Sequence, residues 1–137
     1  MTNLFAYGTL MFPEIWRRIA DRDFDSVPAT LSGFAVFRIR RDLYPVMVPD
    51  STRVVTGLVY RDLDAAMIGR LDSYESDMYD RVAVEAQLTS GERLACEAYV
   101  LAERFRQLRS DQPWTAEWFR REAMAEYRSE EHTSELQ

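Results

Sequence analysis

Residues 71–81 read Leu71-Asp72-Ser73-Tyr74-Glu75-Ser76-Asp77-Met78-Tyr79-Asp80-Arg81. Apolar residues at helical spacing before this stretch predict a helix that begins near Leu63, is capped by Asp62 or Asp64, and ends at the tyrosine before Glu75. Tyr79 then opens a strand. Glu75 therefore stands at a helix-to-strand corner, where a carboxylate can be partly buried and still face a cavity. Burial and the neighbouring aspartates would both raise its pKa.

Strand and turn signals on both sides of this corner predict a β-rich domain. Alternating or extended patterns predict strands over residues 3–7, 27–31, 33–39, 44–49, 54–60, 79–89 and 93–101, with turns at 50–52 and 90–92. Gly57 inside one of these strands indicates a bulge or a close approach by another group. Further helices are predicted at 14–20, after Pro13, and from 111–114 to about 127. The order predicts an α+β fold, a small mixed β-barrel with a few flanking helices.

Composition limits the classes of function. The 137 residues, 47% of them hydrophobic, predict a single domain over residues 1–127. A formal net charge of −6 argues against nucleic acid and anionic membranes as partners. The start of the chain has no basic leader and the sequence has no long apolar stretch, which favours a cytoplasmic protein.

The residues available for chemistry are few. All 17 basic residues are arginines, so lysine chemistry is excluded. The single cysteine, Cys96, cannot form an intramolecular disulfide and lies in an apolar strand, where a core role is expected. The single histidine, His132, lies in a polar C-terminal segment.

That segment, residues 128–137, reads Arg-Ser-Glu-Glu-His-Thr-Ser-Glu-Leu-Gln. It resembles, codon for codon, the translation of a common sequencing adapter, which predicts a non-native polar tail; a natural polar terminus is the alternative. If His132 is not native, catalytic triads, Cys–His pairs and histidine metal sites are removed. Carboxylates, tyrosines and one thiol then remain for acid–base work, and no metal site is predicted.

The loop Tyr7-Gly8-Thr9-Leu10 lies between the first strand and the first helix. Such a loop can direct backbone N–H groups toward one point and bind a carboxylate or phosphate, although a single glycine at a strand end is also an ordinary turn. Gly8 would allow positive φ and close approach. Thr9 adds a hydroxyl donor.

Taken together, these stretches resemble the gamma-glutamylcyclotransferase-like family, and most closely its gamma-glutamylamine cyclotransferase branch. The similarity covers residues 3–101 and rests on Tyr7-Gly8-Thr9-Leu10, Tyr44-Pro45, Val55-Thr56-Gly57-Leu58-Val59-Tyr60, and Leu71-Asp72-Ser73-Tyr74-Glu75 followed by Tyr79 and Arg81. In the family pattern a glycine usually follows the glutamate, whereas here the residue is Ser76. The backbone of that corner is therefore expected to differ.

The resemblance implies a barrel with a cavity and a catalytic glutamate at Glu75. It implies that the first loop, Tyr7, Gly8, Thr9 and Leu10, together with Tyr79, binds a small γ-glutamyl substrate, which is cyclised to 5-oxoproline with release of an amine and without cofactor or metal. Two alternatives stay open: an acyl-amine cyclotransferase with another substrate, and a non-catalytic module that binds a small metabolite.

Several other side chains have both a functional and a structural interpretation. Arg38, Arg40 and Arg81 could bind a substrate carboxylate, but solvated charge on a strand explains the first two as well. Trp114 and Trp118 fit the packing face of a helix better than a substrate platform, and Tyr44 is a candidate for the cavity wall.

Deleting residues 129–137 should leave both the melting temperature and any cyclotransferase activity unchanged. The segment is polar and has little apolar area to offset the entropy of ordering it. A thermal melt and an activity assay of the truncated and full chains, side by side, test this. A clear drop in either quantity would show that the tail belongs to the fold.

Overall fold

Strands dominate the computed structural model, which describes residues 1–20, 25–39 and 44–123. The elements in chain order are β1 (Thr2–Ala6), α1 (Pro13–Ala20), β2 (Ser26–Ile39), β3 (Pro45–Leu63), α2 (Ala65–Glu75), β4 (Tyr79–Leu88), β5 (Arg93–Leu101), β6 (Arg109–Pro113) and α3 (Ala116–Trp118). Short 3₁₀ segments cover Thr9–Met11, Ser76–Met78 and Glu103–Leu108, and a π-helical turn covers Phe119–Ala123.

Five strands close into a barrel in the order β3-β1-β5-β4-β2, because β2 also pairs with β3. The pairing of β1 with β5 is parallel and the other pairings are antiparallel. β6 adds to β2 outside the closed ring. The predicted α+β fold, a small mixed barrel with flanking helices, is confirmed.

β2 and β3 are longer than predicted. The sequence predicted two strands in each, with a turn at 50–52, but both continue through this region. The register shifts at Gly33, which has φ 91° and lies opposite residues 50–53 of β3. Within this bulge the Asp50 carboxylate accepts hydrogen bonds from the backbone N–H of Thr52 at 3.0 Å and from its hydroxyl at 2.7 Å. The turn chemistry is thus present, but it forms a bulge instead of ending the strand.

The predicted start of the last helix is also wrong. Arg109–Pro113 forms β6 and pairs with β2, and helix α3 begins only at Ala116. The Thr115 hydroxyl caps it by accepting the N–H of Trp118 at 3.1 Å. Tertiary pairing with β2 overrides the local helical signal, and Trp114 packs in the core before the helix begins.

Two large apolar clusters hold the barrel and its helices together. The first fills the barrel interior and includes Phe5, Met47 and Cys96, so the core role predicted for the cysteine is confirmed. The second joins α1 and α2 to the outside of the barrel. Its members include Leu4, Trp16, Tyr60, Leu63, Met67 and Leu71.

Gly57 lies where β3 passes closest to β1. A Cβ atom there would be 2.3 Å from the carbonyl oxygen of Ala6. The close approach expected from a glycine within a strand is therefore present, and it allows β1 to enter the ring.

Some predictions fall on parts of the chain that the structure does not describe. The predicted tail at 128–137, His132 within it, and Arg40 lie outside the described residues. Within those residues, no helix has the length and apolar character needed to cross a membrane.

Candidate functional site

Helix α2 carries Glu75 as its last residue. The helix begins at Ala65, and the Asp64 carboxylate caps it by accepting the N–H of Met67 at 2.8 Å, as one of the two predicted caps. Its inner face buries Met67, Ile68 and Leu71. This apolar face holds α2 against the barrel and thereby places its C-terminal residue at the mouth of a cavity.

The corner after Glu75 has an unusual backbone. Ser76 has φ 68° and ψ −172°, a conformation that favours glycine, and its N–H donates to the carbonyl of Asp72. Strain of this kind costs about 1–3 kcal/mol. The structure therefore keeps a glycine-like corner although a serine occupies it, and Tyr79 begins β4 directly after the following 3₁₀ turn.

The loop after β1 is held from two sides. The Tyr60 hydroxyl donates to the Leu10 carbonyl at 3.0 Å, and a Cβ at Gly8 would lie 2.3 Å from Cγ of Pro45. Gly8 has φ −117°, so the positive φ that glycine permits is not used here, and the close approach of Pro45 is the reason that glycine fits. Thr9 and Leu10 open a 3₁₀ turn, so their N–H groups have no partner within that turn.

Glutamate and loop face one cavity of about 340 Å³, which lies in the range of small-molecule sites. The structure brings together every residue predicted for the site, because Tyr7, Gly8, Thr9, Leu10, Glu75 and Tyr79 all line this cavity. Tyr44 lines it as well. The lining also includes residues that were not among the predicted site residues: Phe5, Ala6, Pro45, Tyr74, Ser76, Met78 and Tyr99.

Three of the tyrosines in the wall are fixed by hydrogen bonds. The Tyr7 hydroxyl donates to the Tyr99 carbonyl at 2.6 Å, and the Tyr79 hydroxyl donates to the Pro45 carbonyl at 2.7 Å. The Tyr74 hydroxyl lies 3.2 Å from the Thr9 hydroxyl. Burial, with smaller effects from nearby charges, raises the pKa of Tyr7, so its hydroxyl stays neutral at physiological pH.

Burial raises the pKa of Glu75 to about 8. The expected crowding by aspartates does not cause this shift, because Asp72 is turned toward other partners. Its carboxylate accepts hydrogen bonds from Nε of Arg81 at 3.0 Å and from the Tyr99 hydroxyl at 2.7 Å. Burial alone would raise the pKa of Asp72, but these two hydrogen bonds and the Arg81 charge lower it. One corner thus holds a carboxyl group that is mostly neutral at pH 7 and one that is ionised.

Of the arginines considered for carboxylate binding, the two that the structure describes, Arg38 and Arg81, do not line this cavity. Arg81 instead pairs with Asp72 and Glu97. The Arg38 guanidinium lies 3.8 Å from the centre of the Trp118 ring, and its Nε donates to a backbone carbonyl at 3.1 Å. Among the described residues, no three His, Cys, Asp or Glu side chains are grouped to hold a metal ion.

A closed mixed barrel, with the Glu75 carboxyl group and the loop after β1 lining one cavity, defines a class of small barrel proteins with a candidate small-molecule site. The family comparison makes this more specific. The chain belongs to the family described as gamma-glutamyl cyclotransferase, AIG2-like, whose model matches residues 4–120.

Relatives and solved structures agree with this assignment. AIG2-like protein C of Arabidopsis thaliana is 40% identical over 99 residues, which cover 72% of this chain and 58% of that protein. The chain therefore spans less than two thirds of that relative's length. A solution structure of another Arabidopsis thaliana protein is 29% identical with a TM-score of 0.73, covering 98% of this chain and 81% of the other. An AIG2-like protein of Mus musculus, 22% identical with a TM-score of 0.64, shares the fold over 85% of this chain and 90% of its own.

Ser76→Gly should stabilise the protein by about 1 kcal/mol, because glycine adopts the Ser76 backbone conformation without strain. Ser73→Gly is the matched control, since Ser73 is exposed within helix α2 and glycine there should destabilise the protein slightly. Urea denaturation measures both. Equal destabilisation by the two changes would contradict the strained corner.

Glu75→Gln should stabilise the protein increasingly as the pH rises from about 4.5 to about 8. In this interval the folded protein retains the Glu75 proton while the unfolded chain has lost it, so the wild type loses stability as the pH rises. At about 1.4 kcal/mol for each pKa unit, the difference reaches a few kcal/mol.

The measurement is the free energy of unfolding of both proteins at pH 5 and pH 9. Glu92→Gln, in the exposed β4–β5 turn, is the control and should show no such trend. A difference between Glu75→Gln and wild type that does not change with pH would contradict the raised pKa.

Proposed function

We propose that this protein is a γ-glutamyl cyclotransferase that converts a γ-glutamyl amine or γ-glutamyl amino acid to 5-oxoproline and a free amine, with Glu75 as general acid and base. One observation carries the proposal: a buried carboxyl group of raised pKa shares a single cavity with a loop suited to bind a carboxylate. The matching family model and the sequence similarity to AIG2-like proteins support it.

The loop is the proposed site for the α-carboxylate of the substrate. The N–H groups of Thr9 and Leu10 and the Thr9 hydroxyl supply hydrogen bonds to an anion. Pro45 packs on Gly8 and the Tyr60 hydroxyl donates to the Leu10 carbonyl, so the loop is supported at both of these points. Such a loop binds the carboxylate without having to reorganise.

Ring closure follows from this binding. A γ-glutamyl compound carries its own nucleophile, the α-amine. With the α-carboxylate fixed on the loop, the amine folds onto the γ-carbonyl and forms a five-membered lactam. Most of the rate acceleration comes from this positioning, because an oriented intramolecular attack has effective molarities of about 10⁵ M or more.

Glu75 is proposed to move the protons. The α-amine arrives as an ammonium group and must lose a proton before it attacks. A carboxylate with a pKa of about 8 is a strong enough base for this transfer, since an α-ammonium group has a pKa of about 8. The same carboxyl group then gives a proton to the leaving amine as the carbon–nitrogen bond breaks. Tyr7 and Tyr79 line the cavity, and their hydroxyl oxygens can accept hydrogen bonds from the ammonium group.

Glu75→Gln should lower kcat by about 10²-fold or more, because glutamine keeps the size of the side chain but cannot transfer a proton. The assay is release of 5-oxoproline from a panel of γ-glutamyl amines and γ-glutamyl amino acids. In the wild type, kcat/KM should rise with pH through an apparent pKa of about 8, since the free enzyme must ionise Glu75.

Glu92→Gln, on the exposed turn, is again the control and should match the wild type. Near-normal turnover by the purified Glu75→Gln protein would remove Glu75 from the acid–base role. Binding of γ-glutamyl compounds without any release of 5-oxoproline by the wild type would favour a binding module instead.

A further inference from the structure

The end of helix α2 is tied to the barrel by a group of polar side chains. Both carboxylate oxygens of Asp72 are held: Oδ1 accepts from the Tyr99 hydroxyl at 2.7 Å and from Nε of Arg81 at 3.0 Å, and Oδ2 accepts from the same guanidinium at 3.3 Å. Arg81 lies near the start of β4 and also pairs with Glu97 of β5. One helical residue is thus fixed by two strands.

These contacts hold the helix backbone next to Glu75, the proposed acid–base residue. Asp72 lies one helical turn before Glu75, and its carbonyl accepts the N–H of Ser76 directly after it. The backbone of the last helical turn is therefore anchored through Asp72 on one side of Glu75 and through the strained corner on the other. A shift of Asp72 would move the Glu75 carboxyl group.

Tyr99 connects the same group to the loop side of the cavity. Its side chain holds Asp72, while its backbone carbonyl accepts the Tyr7 hydroxyl at 2.6 Å. Tyr99 is buried and lines the cavity. The helix that carries Glu75 and the start of the loop therefore share one support.

We propose that Asp72, Arg81 and Tyr99 are positioning residues that hold the Glu75 carboxyl group toward the loop at Gly8–Leu10. The inference rests on the proposed cyclotransferase function and assigns a role to residues outside the proton-transfer step. Arg81 then acts as the support of an aspartate, and not as a ligand of the substrate carboxylate.

A second ion pair, on the β4–β5 hairpin, is an ordinary surface contact with which the Asp72–Arg81 pair can be compared. Arg93 and Glu85 lie 3.3 Å apart, with 72% and 61% of their side chains exposed, and neither lines the cavity. The Arg81 and Asp72 side chains are 30% and 45% exposed. Asp72 accepts two hydrogen bonds from Arg81 and a third from the buried Tyr99. Exposed pairs contribute little to stability, so the main effect expected from the Asp72 group is on geometry.

The experiment compares Tyr99→Phe and Asp72→Asn with Arg93→Gln as the matched control. Tyr99→Phe removes one oxygen atom and leaves the ring in place. Both variants should lower kcat by about 10-fold to 100-fold with KM little changed, since misplacing a reacting group by about 1 Å has an effect of that size. Arg93→Gln should match the wild type in both constants.

The second readout is independent of turnover. The Glu75 carboxyl carbon is titrated by NMR in each protein without substrate. In both variants the titration midpoint should fall from about 8 toward the ordinary range of a glutamate, because water reaches a carboxyl group that is no longer held. Tyr7 and Tyr99 interact electrostatically with Glu75, and because burial raises the pKa of both hydroxyls, they stay neutral during this titration.

The outcomes separate the inference from the function it rests on. If the wild type releases no 5-oxoproline, the proposed function fails, and the NMR titration still tests the positioning role. If both variants keep the wild-type kcat and titration midpoint, the inference is overturned, even if their melting temperatures fall. If Asp72→Asn does not fold, Tyr99→Phe alone decides by the same two readouts.

Discussion

The antiparallel pairing of β2 with β3 is the contact on which the rest of this structure depends. It closes the ring, and without it β3 would be the edge of an open sheet. It also fixes both ends of β3, and each end supports the site. Pro45, at the start, packs on Gly8 and accepts the Tyr79 hydroxyl, whereas Tyr60, near the other end, holds the Leu10 carbonyl. The pairing that closes the barrel therefore also fixes the geometry of the site.

The site combines two opposite electrostatic environments within one helical turn. Glu75 faces a cavity lined by tyrosines and apolar side chains, which disfavours its charged form and raises its pKa. Asp72 faces outward to Arg81 and Tyr99, which favour its charged form. Side chains three positions apart lie on the same side of a helix, so the different surroundings of the two carboxyl groups come from their partners and not from the helix itself. A group suited to proton transfer thus sits beside one suited to anchoring.

Close packing of backbone is a third feature of the site. Gly57 lets β1 approach β3, and Gly8 lets the loop pass over Pro45; a Cβ at either position would overlap a neighbour at 2.3 Å. Ser76 differs from these two glycines, because it has a side chain and still adopts a backbone conformation that favours glycine. The strain is borne where the helix must end abruptly so that Tyr79 can begin the next strand, a placement typical of functional sites.

Local patterns in the sequence determined the helix that ends at Glu75, its Asp64 cap, the β4–β5 hairpin and the loop after β1, because each depends on residues near one another in the chain. The resemblance carried by those stretches also indicated the barrel and the residues of its cavity. Tertiary structure alone decided the continuity of β2 and β3 through the bulge at Gly33, the strand at Arg109–Pro113, and the position of Tyr99 in the wall. These features arise from pairing and packing between segments that are distant in the chain. The energies of those contacts outweigh local turn and helix preferences, so local sequence patterns do not predict them.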